Sequence, residues 1–350
     1  MSTPSVASSS AGAQPMTPAG AAPTARVLTL SQAVREALAE ELRRDPHVFI
    51  IGEDVAEAGT PFKVLSGLVD EFGPNRIIDS PISEAGITGL GVGAAMTGMR
   101  PVVDIMFGDF LTLIMDQVVN QAAKVHYMSG GALKVPLVVR TTLGATRRSA
   151  AQHSQSLHAW VSHVPGLKVV LPATPYDAKG LLKSAIRDDN PVIFFEDKMM
   201  YQLKGPVPEE EYLLPLGVAD IKRTGSDVTI VATSSMVQVA LGAAEALELV
   251  GISAEVIDPR TLFPLDTETL IASAKKTSRA LVLDEGYQRY GVTAELAAVI
   301  AEGAFYYLDA PVKRMGAMDV PVPFSPVLED QTVPTVASVT EFAKTLCGRM

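Results

Sequence analysis

Apolar residues recur at helical spacing almost as soon as bulky side chains begin, near Val27. Val34, Ala37, Leu38 and Leu42 share one helix face behind a cap at Ser31, and Asp45-Pro46 stops the run. Residues 47–51 form a short, continuously apolar stretch, the pattern of a buried strand, and it leads into Gly52-Glu53-Asp54. The pattern next predicts a helix over 62–72, stopped by Gly73-Pro74, and a short strand over 76–79. After a turn at Ser80-Pro81 a Gly/Ala-rich helix is expected over 84–97. Further apolar strands are predicted at 101–105, 136–140, 168–171 and 192–195, with a helix at 176–187. Strands that alternate with helices imply an α/β layer fold around a mostly parallel sheet.

Residues 204–215 change character, with three prolines and the run Glu209-Glu210-Glu211. Residues 204–216 are read as a linker between a first unit over 27–203 and a second over 217–350. The second unit resumes the alternation: strand 228–232, helix 236–250, strand 254–257 and strand 280–283. Two α/β domains are therefore expected. Residues 1–26 form the leader. Its first 25 residues carry no charge and are mostly Ala, Ser, Pro and Thr, too little bulky apolar surface to offset the entropy of ordering, so the leader is read as flexible.

Composition narrows the function classes. The chain has 350 residues, 47% hydrophobic and 19% charged, enough apolar material for two buried cores. Lys and Arg number 29 and Asp and Glu 39, a formal net charge of −10, which argues against general nucleic-acid binding and suits a basic protein partner. The single cysteine, Cys347, offers no partner for an internal disulfide, and a cytoplasmic setting is expected. No run approaches the roughly 20 apolar residues of a membrane span, so no membrane association is expected.

The short catalytic signatures are absent: no Gly-Lys pair for a phosphate-cradling loop, no G-x-S-x-G and no H-E-x-x-H. Gly89-Leu90-Gly91-Val92-Gly93-Ala94 contains G-x-G-x-x-A, but inside a predicted helix, where close helix packing explains the glycines better than a dinucleotide does. His153, His158 and His163 recur every five residues, a spacing that does not bring ligands together on a helix. Glu84 stands at a strand-to-helix junction. It is either a first-turn carboxylate favoured by the helix dipole or an acid held in a cleft at the carboxyl end of a strand. His153 is either a polar loop residue or an acid–base group.

Six segments in order carry a resemblance: Gly52-Glu53-Asp54-Val55, Asp79-Ser80-Pro81-Ile82-Ser83-Glu84, Asp116-Gln117, Gln152-His153-Ser154-Gln155, Pro165-Gly166-Leu167-Lys168-Val169-Val170 and Tyr176-Asp177-Ala178-Lys179-Gly180-Leu181. From about Leu28 to its end the chain resembles the beta subunits of the thiamine-diphosphate-dependent first component of 2-oxo acid or acetoin dehydrogenase complexes. The resemblance implies a pyrimidine-binding domain followed by a transketolase C-terminal-like domain. It implies an alpha subunit in an α2β2 heterotetramer, which brings Mg²⁺ and the diphosphate half of the thiamine diphosphate site. In keeping with that, this sequence has no Gly-Asp-Gly; Gly108-Asp109-Phe110 is its nearest approach.

By the same resemblance Glu84 hydrogen-bonds N1′ of the aminopyrimidine and shares a proton with it, and His153 is the active-site histidine. Ile82, Met106 and Phe110 match the walls around the ring. Leu137, Ala185, Ile186, Asp188 and Asn190 match positions that surround a potassium ion in some relatives, mainly through carbonyl oxygens. The implied reaction is decarboxylation of a 2-oxo acid such as pyruvate, or cleavage of acetoin, with acyl transfer to a lipoyl group on the dihydrolipoyl acyltransferase core. The alternatives are a branched-chain 2-oxo acid dehydrogenase beta subunit and a non-catalytic docking subunit. Gln152 resembles the pyruvate and acetoin types, the segment from Pro321 to Asp330 is more similar to the acetoin type, and His158-Ala159-Trp160 resembles pyruvate forms.

Overall fold

The computed structural model describes residues 26–348; the predicted flexible leader lies outside them apart from Arg26. In the first half of the chain the elements run β1 (Arg26–Thr29), α1 (Leu30–Arg44), β2 (Val48–Gly52), α2 (Leu68–Phe72), β3 (Ile77–Asp79), α3 (Glu84–Met96), β4 (Arg100–Ile105), α4 (Leu111–Met115), α5 (Ala123–Met128), β5 (Val138–Leu143), α6 (His158–Ser162), β6 (Lys168–Val170), α7 (Pro175–Arg187), β7 (Val192–Asp197) and β8 (Lys204–Val207). A π-helical stretch, Asp116–Ala122, joins α4 to α5. The second half adds β9 (Asp220–Arg223), β10 (Val228–Ala232), α8 (Met236–Glu248), β11 (Ala254–Asp258), β12 (Thr261–Phe263), α9 (Thr267–Thr277), β13 (Ala280–Tyr287), α10 (Val292–Ala304), β14 (Lys313–Ala317), α11 (Pro326–Glu329) and α12 (Val336–Leu346).

Two mostly parallel sheets organise these elements. One has the order β12-β6-β7-β5-β4-β2-β3, the other β14-β13-β10-β11-β9. The central strands β2, β4, β5 and β7 are buried along nearly their whole length, which is why they read as continuous apolar runs rather than as alternation. The chain is thus α/β throughout.

Local chemistry explains the departures from the expected pattern. The helix expected over 62–72 forms only from Leu68, because Lys63 and Gly67 adopt left-handed backbone conformations that no helix accommodates. The α1 cap is Thr29 rather than Ser31: Thr29 and Gln32 form a reciprocal capping box. Residues 204–207, expected as linker, pair antiparallel with β1 as a two-stranded ribbon, an edge setting that tolerates Pro206. β12 also crosses over: it comes from the second half of the chain yet pairs antiparallel with β6 of the first sheet.

Buried charge fixes the first sheet near the carboxyl ends of its strands. Arg140 on β5 makes a two-pronged pair with Glu196 on β7, at 2.5 and 2.7 Å, and a second pair with Asp104 on β4. All three are almost fully buried. Between the two halves, Asp177 of α7 meets Lys222 at 2.5 Å and Arg260 at 2.7 Å, while Lys222 stands 3.5 Å from Asp258. Burial pushes the Asp258 carboxyl up to about 7, against the pull of Lys222.

Two outcomes follow. Arg140→Met strands Asp104 and Glu196 without their counter-charge and should cost about 3–5 kcal/mol in denaturant unfolding; a loss below 1 kcal/mol would contradict the tie. Between roughly pH 4 and 7 the folded state holds a proton on Asp258 that the unfolded chain has released, so stability declines as pH rises through that window. Asp258→Asn keeps the oxygen that accepts from the Arg260 N–H and should flatten the decline; an unchanged slope between melts at pH 4.5 and 7.5 would show that Asp258 does not carry it.

Candidate active site

The carboxyl ends of β2, β3 and β4 open onto one cleft of about 500 Å³, lined by Glu53, Asp54, Ser80, Pro81, Ile82, Glu84, Met106, Phe107, Phe110 and His153. Five residues singled out in the sequence, Ile82, Glu84, Met106, Phe110 and His153, meet there although 71 positions separate the first from the last (153 − 82). In open α/β sheets this is where ligands bind.

Each wall has a local cause. β2 ends at Gly52, where an added Cβ would lie 2.7 Å from the carbonyl oxygen of Asp104, so only glycine lets β2 and β4 approach here. The Ser80 N–H donates to the Gly52 carbonyl at 2.9 Å and the Ala56 N–H to Asp79 at 2.8 Å, which ties the loops after β2 and β3 together. Glu84 then opens α3, its side chain buried in the first turn, where the positive end of the helix dipole favours a carboxylate. Beyond β4 the hydroxyl of Thr142 donates to the Met106 carbonyl at 3.2 Å. At Gly108 a Cβ would come within 2.2 Å of the Thr142 carbonyl, so glycine there lets Phe110 follow closely behind.

His153 arrives on the long loop after β5. Its ring stands edge-on to Phe107 at 4.7 Å and to Phe110 at 5.4 Å between centroids. That loop passes through left-handed conformations at Thr146, Arg148 and Ala150, so its course depends on tertiary anchors. Arg148 pairs with buried Glu329 at 2.9 Å and with Asp330 at 2.7 Å, and Arg147 stacks on Phe62 at 4.9 Å. Arg147-Arg148 therefore fastens the loop.

The cleft holds a second carboxylate that carried no assignment in the sequence. Glu53 is half-buried, and one of its oxygens has no hydrogen-bond partner. Burial, followed by the nearby negative charge of Glu84, pushes its carboxyl above the ordinary range. A dehydrated acid with an unsatisfied oxygen, beside a second acid and a wall of aromatic and thioether groups, fits a flat heterocycle with polar ring nitrogens. Phe107 and Lys198 also escaped notice. The legible signal for Lys198 was its place just beyond the strand predicted at 192–195.

The remaining candidates lie elsewhere. His158 is buried against Asp284 at 3.0 Å between the two sheets, and His163 lines a larger, mainly apolar cleft of about 760 Å³ beside Phe263 and Tyr290. That cleft gathers none of the five. Leu137, Ala185, Ile186, Asp188 and Asn190 sit at the amino ends of the strands. There Arg100 donates to the carbonyls of Ile186 and Asp188 at 3.0 Å each, and Lys168 pairs with the Asp188 carboxylate at 2.5 Å. Each carbonyl keeps a second lone pair, the kind of oxygen donor that could hold a potassium ion. Among the described residues no cluster of three or more His, Cys, Asp or Glu is arranged to hold a metal ion, and no helix is long and apolar enough to cross a membrane.

Comparisons with known proteins show the family. Residues 26–204 match the family model "Transketolase, pyrimidine binding domain" and residues 217–339 match "Transketolase, C-terminal domain". The beta subunit of acetoin:2,6-dichlorophenolindophenol oxidoreductase from Bacillus subtilis is 50% identical over 93% of this chain and 98% of its own. The pyruvate dehydrogenase E1 component subunit beta from Rhizobium meliloti is 48% identical over 91% of this chain and 70% of its own. The 2-oxoisovalerate dehydrogenase subunit beta from Bacillus subtilis is 46% identical over 87% and 93%. A solved split-gene transketolase, titled an inactive beta4 tetramer, superposes with a TM-score of 0.75 at 23% identity over 92% of this chain and 98% of its own, a likeness of fold. The chain belongs to the transketolase-like family of beta subunits of the thiamine-dependent first component of pyruvate- and acetoin-type dehydrogenase complexes.

Proposed function

We propose that this chain supplies the aminopyrimidine half of a thiamine diphosphate site and, with an alpha subunit in an α2β2 assembly, oxidatively decarboxylates pyruvate or cleaves acetoin. The supporting observation is the convergence of Glu84, Ile82, Met106, Phe110 and His153 in one cleft at the carboxyl ends of parallel strands. When bound, the cofactor supplies the carbon nucleophile that breaks the bond beside the substrate carbonyl. Ile82, Met106 and Phe110 bind the faces of the aminopyrimidine and keep water from them. Glu84 holds and returns a proton at N1′ from the first turn of α3. His153 donates a proton or hydrogen bond to the substrate oxygen as charge develops there.

The alpha subunit is assigned Mg²⁺ and the diphosphate, since this sequence has no Gly-Asp-Gly. A potassium ion in the corner bounded by Leu137 and Asn190 would act structurally, because that corner lies at the amino ends of the strands. Residues 27–203 form the pyrimidine-binding domain and 217–350 the transketolase C-terminal-like domain, with 204–216 between them. That division is supported by the limits of the two matched family models. The net charge of −10 suits docking to a basic subunit-binding domain of the dihydrolipoyl acyltransferase core, where the acyl group would pass to a lipoyl arm. A single cysteine in the sequence is in keeping with a cytoplasmic setting.

Acetoin- and pyruvate-type relatives match at 50% and 48%, so substrate choice is left to assays of the reconstituted complex on pyruvate, acetoin and branched-chain 2-oxo acids. Glu84→Gln is expected to assemble normally with the alpha subunit yet slow exchange of the bound cofactor's C2 proton at least about 100-fold, the usual scale of acid–base assistance. Wild-type exchange in that variant would remove Glu84 from the mechanism.

A further inference from the structure

Behind His153 lie two buried charged groups with no part in the chemistry just described. Lys198, directly after β7, is 1% exposed, and its ammonium donates to the main-chain carbonyl of His153. The same ammonium lies 5.5 Å from the centre of the Phe107 ring. Asp109 is also buried, and its Oδ1 accepts from the Gln155 N–H at 3.1 Å and from the Gln155 side-chain amide at 3.0 Å. Two charged groups from the first sheet thus grip the 153–155 segment, one at each end.

Burial makes this arrangement costly. It pushes the Lys198 ammonium below the ordinary lysine range, with the charges of Asp109, Glu285 and Asp197 opposing. A leucine or methionine would fill the volume without that cost. What apolar side chains cannot do is satisfy a carbonyl in a loop with no strand neighbour to pair it. The loop also turns through left-handed residues just before His153, so its own backbone preferences do not aim the imidazole.

We infer that Lys198 is a positioning residue: by binding the His153 carbonyl, jointly with the grip of Asp109 on Gln155, it holds the imidazole edge-on to Phe107 and Phe110 and turned into the Glu84 cleft. The inference rests on the reading of His153 as the group that serves the substrate oxygen. Lys198 acts through His153 and touches no reacting atom.

The test uses the full complex reconstituted with its alpha subunit, in Lys198→Met, Lys198→Arg, His153→Ala and the Met/Ala double variant. Lys198→Met is expected to lower kcat about 10- to 100-fold with little change in KM, the scale of a displaced catalytic group. Amide hydrogen exchange across residues 152–156 should quicken, and Lys198→Arg, which restores a cationic donor, should recover most of the rate. In the His153→Ala background Lys198→Met should cost nothing further. An equal loss with and without His153, or unchanged exchange over 152–156, would overturn the inference. Should His153→Ala retain the full wild-type rate, the role of His153 is lost while hydrogen exchange still decides whether Lys198 anchors the segment. If the Met variant does not fold, Lys198→Leu, which likewise removes the donor, is read against the same outcomes.

Discussion

The guanidinium of Arg140, buried between Asp104 and Glu196, is the constraint on which the cleft depends. It joins three adjacent strands, β4, β5 and β7, near their carboxyl ends. Within a few residues of the tie each strand releases a segment that the site uses: β4 releases Met106 to Phe110, β7 releases Lys198, and β5 releases the loop that carries His153. Hydrogen bonds along a parallel ladder set the register of such strands but leave their ends free to splay. A buried ion triad penalises splaying, because separating the partners leaves charge in a medium that cannot solvate it. Gly52 adds β2 to the bundle by permitting contact with the Asp104 carbonyl, and through β2 the tie reaches Glu53.

The second half of the chain completes the site without contributing a wall to it. Ser156 donates to Glu285 at 3.1 Å, His158 meets Asp284 at 3.0 Å, and Arg148 meets Glu329 at 2.9 Å. The loop carrying His153 is therefore fastened at several points to the β13 and α11 regions. β12 crosses over to lengthen the first sheet, and the Asp177–Lys222–Arg260 cluster joins the halves again at the first turn of α7. The two units are therefore joined by several ionic contacts, among them Arg148–Glu329, His158–Asp284 and Arg260–Asp177.

Much of this was legible in the sequence, for identifiable reasons. Buried parallel strands announce themselves as apolar runs, so β2, β4, β5, β7, β10 and β11 were found, and Glu84 was placed at the mouth of its helix. The resemblance supplied the five residues of the cleft, and the structure brings them together. What escaped notice depends on long-range contacts. The 62–72 segment has helical apolar spacing but left-handed residues at Lys63 and Gly67. The strand at 204–207 looked like linker because its partner is the distant β1. Lys198 stands just beyond a predicted strand, but nothing in one dimension shows an ammonium buried against a carbonyl 45 residues away.

The deeper claim is that a single polypeptide builds only the wall for thiamine's aminopyrimidine, leaving the charged tail to a partner. Calorimetric titration of thiamine diphosphate with Mg²⁺ into this chain, into its alpha subunit and into the reconstituted pair measures that division directly. Tight, saturable binding is predicted for the pair alone, with each separate chain at least about 100-fold weaker, as expected when half of the contacts are missing. Equally tight binding to this chain by itself would contradict the account.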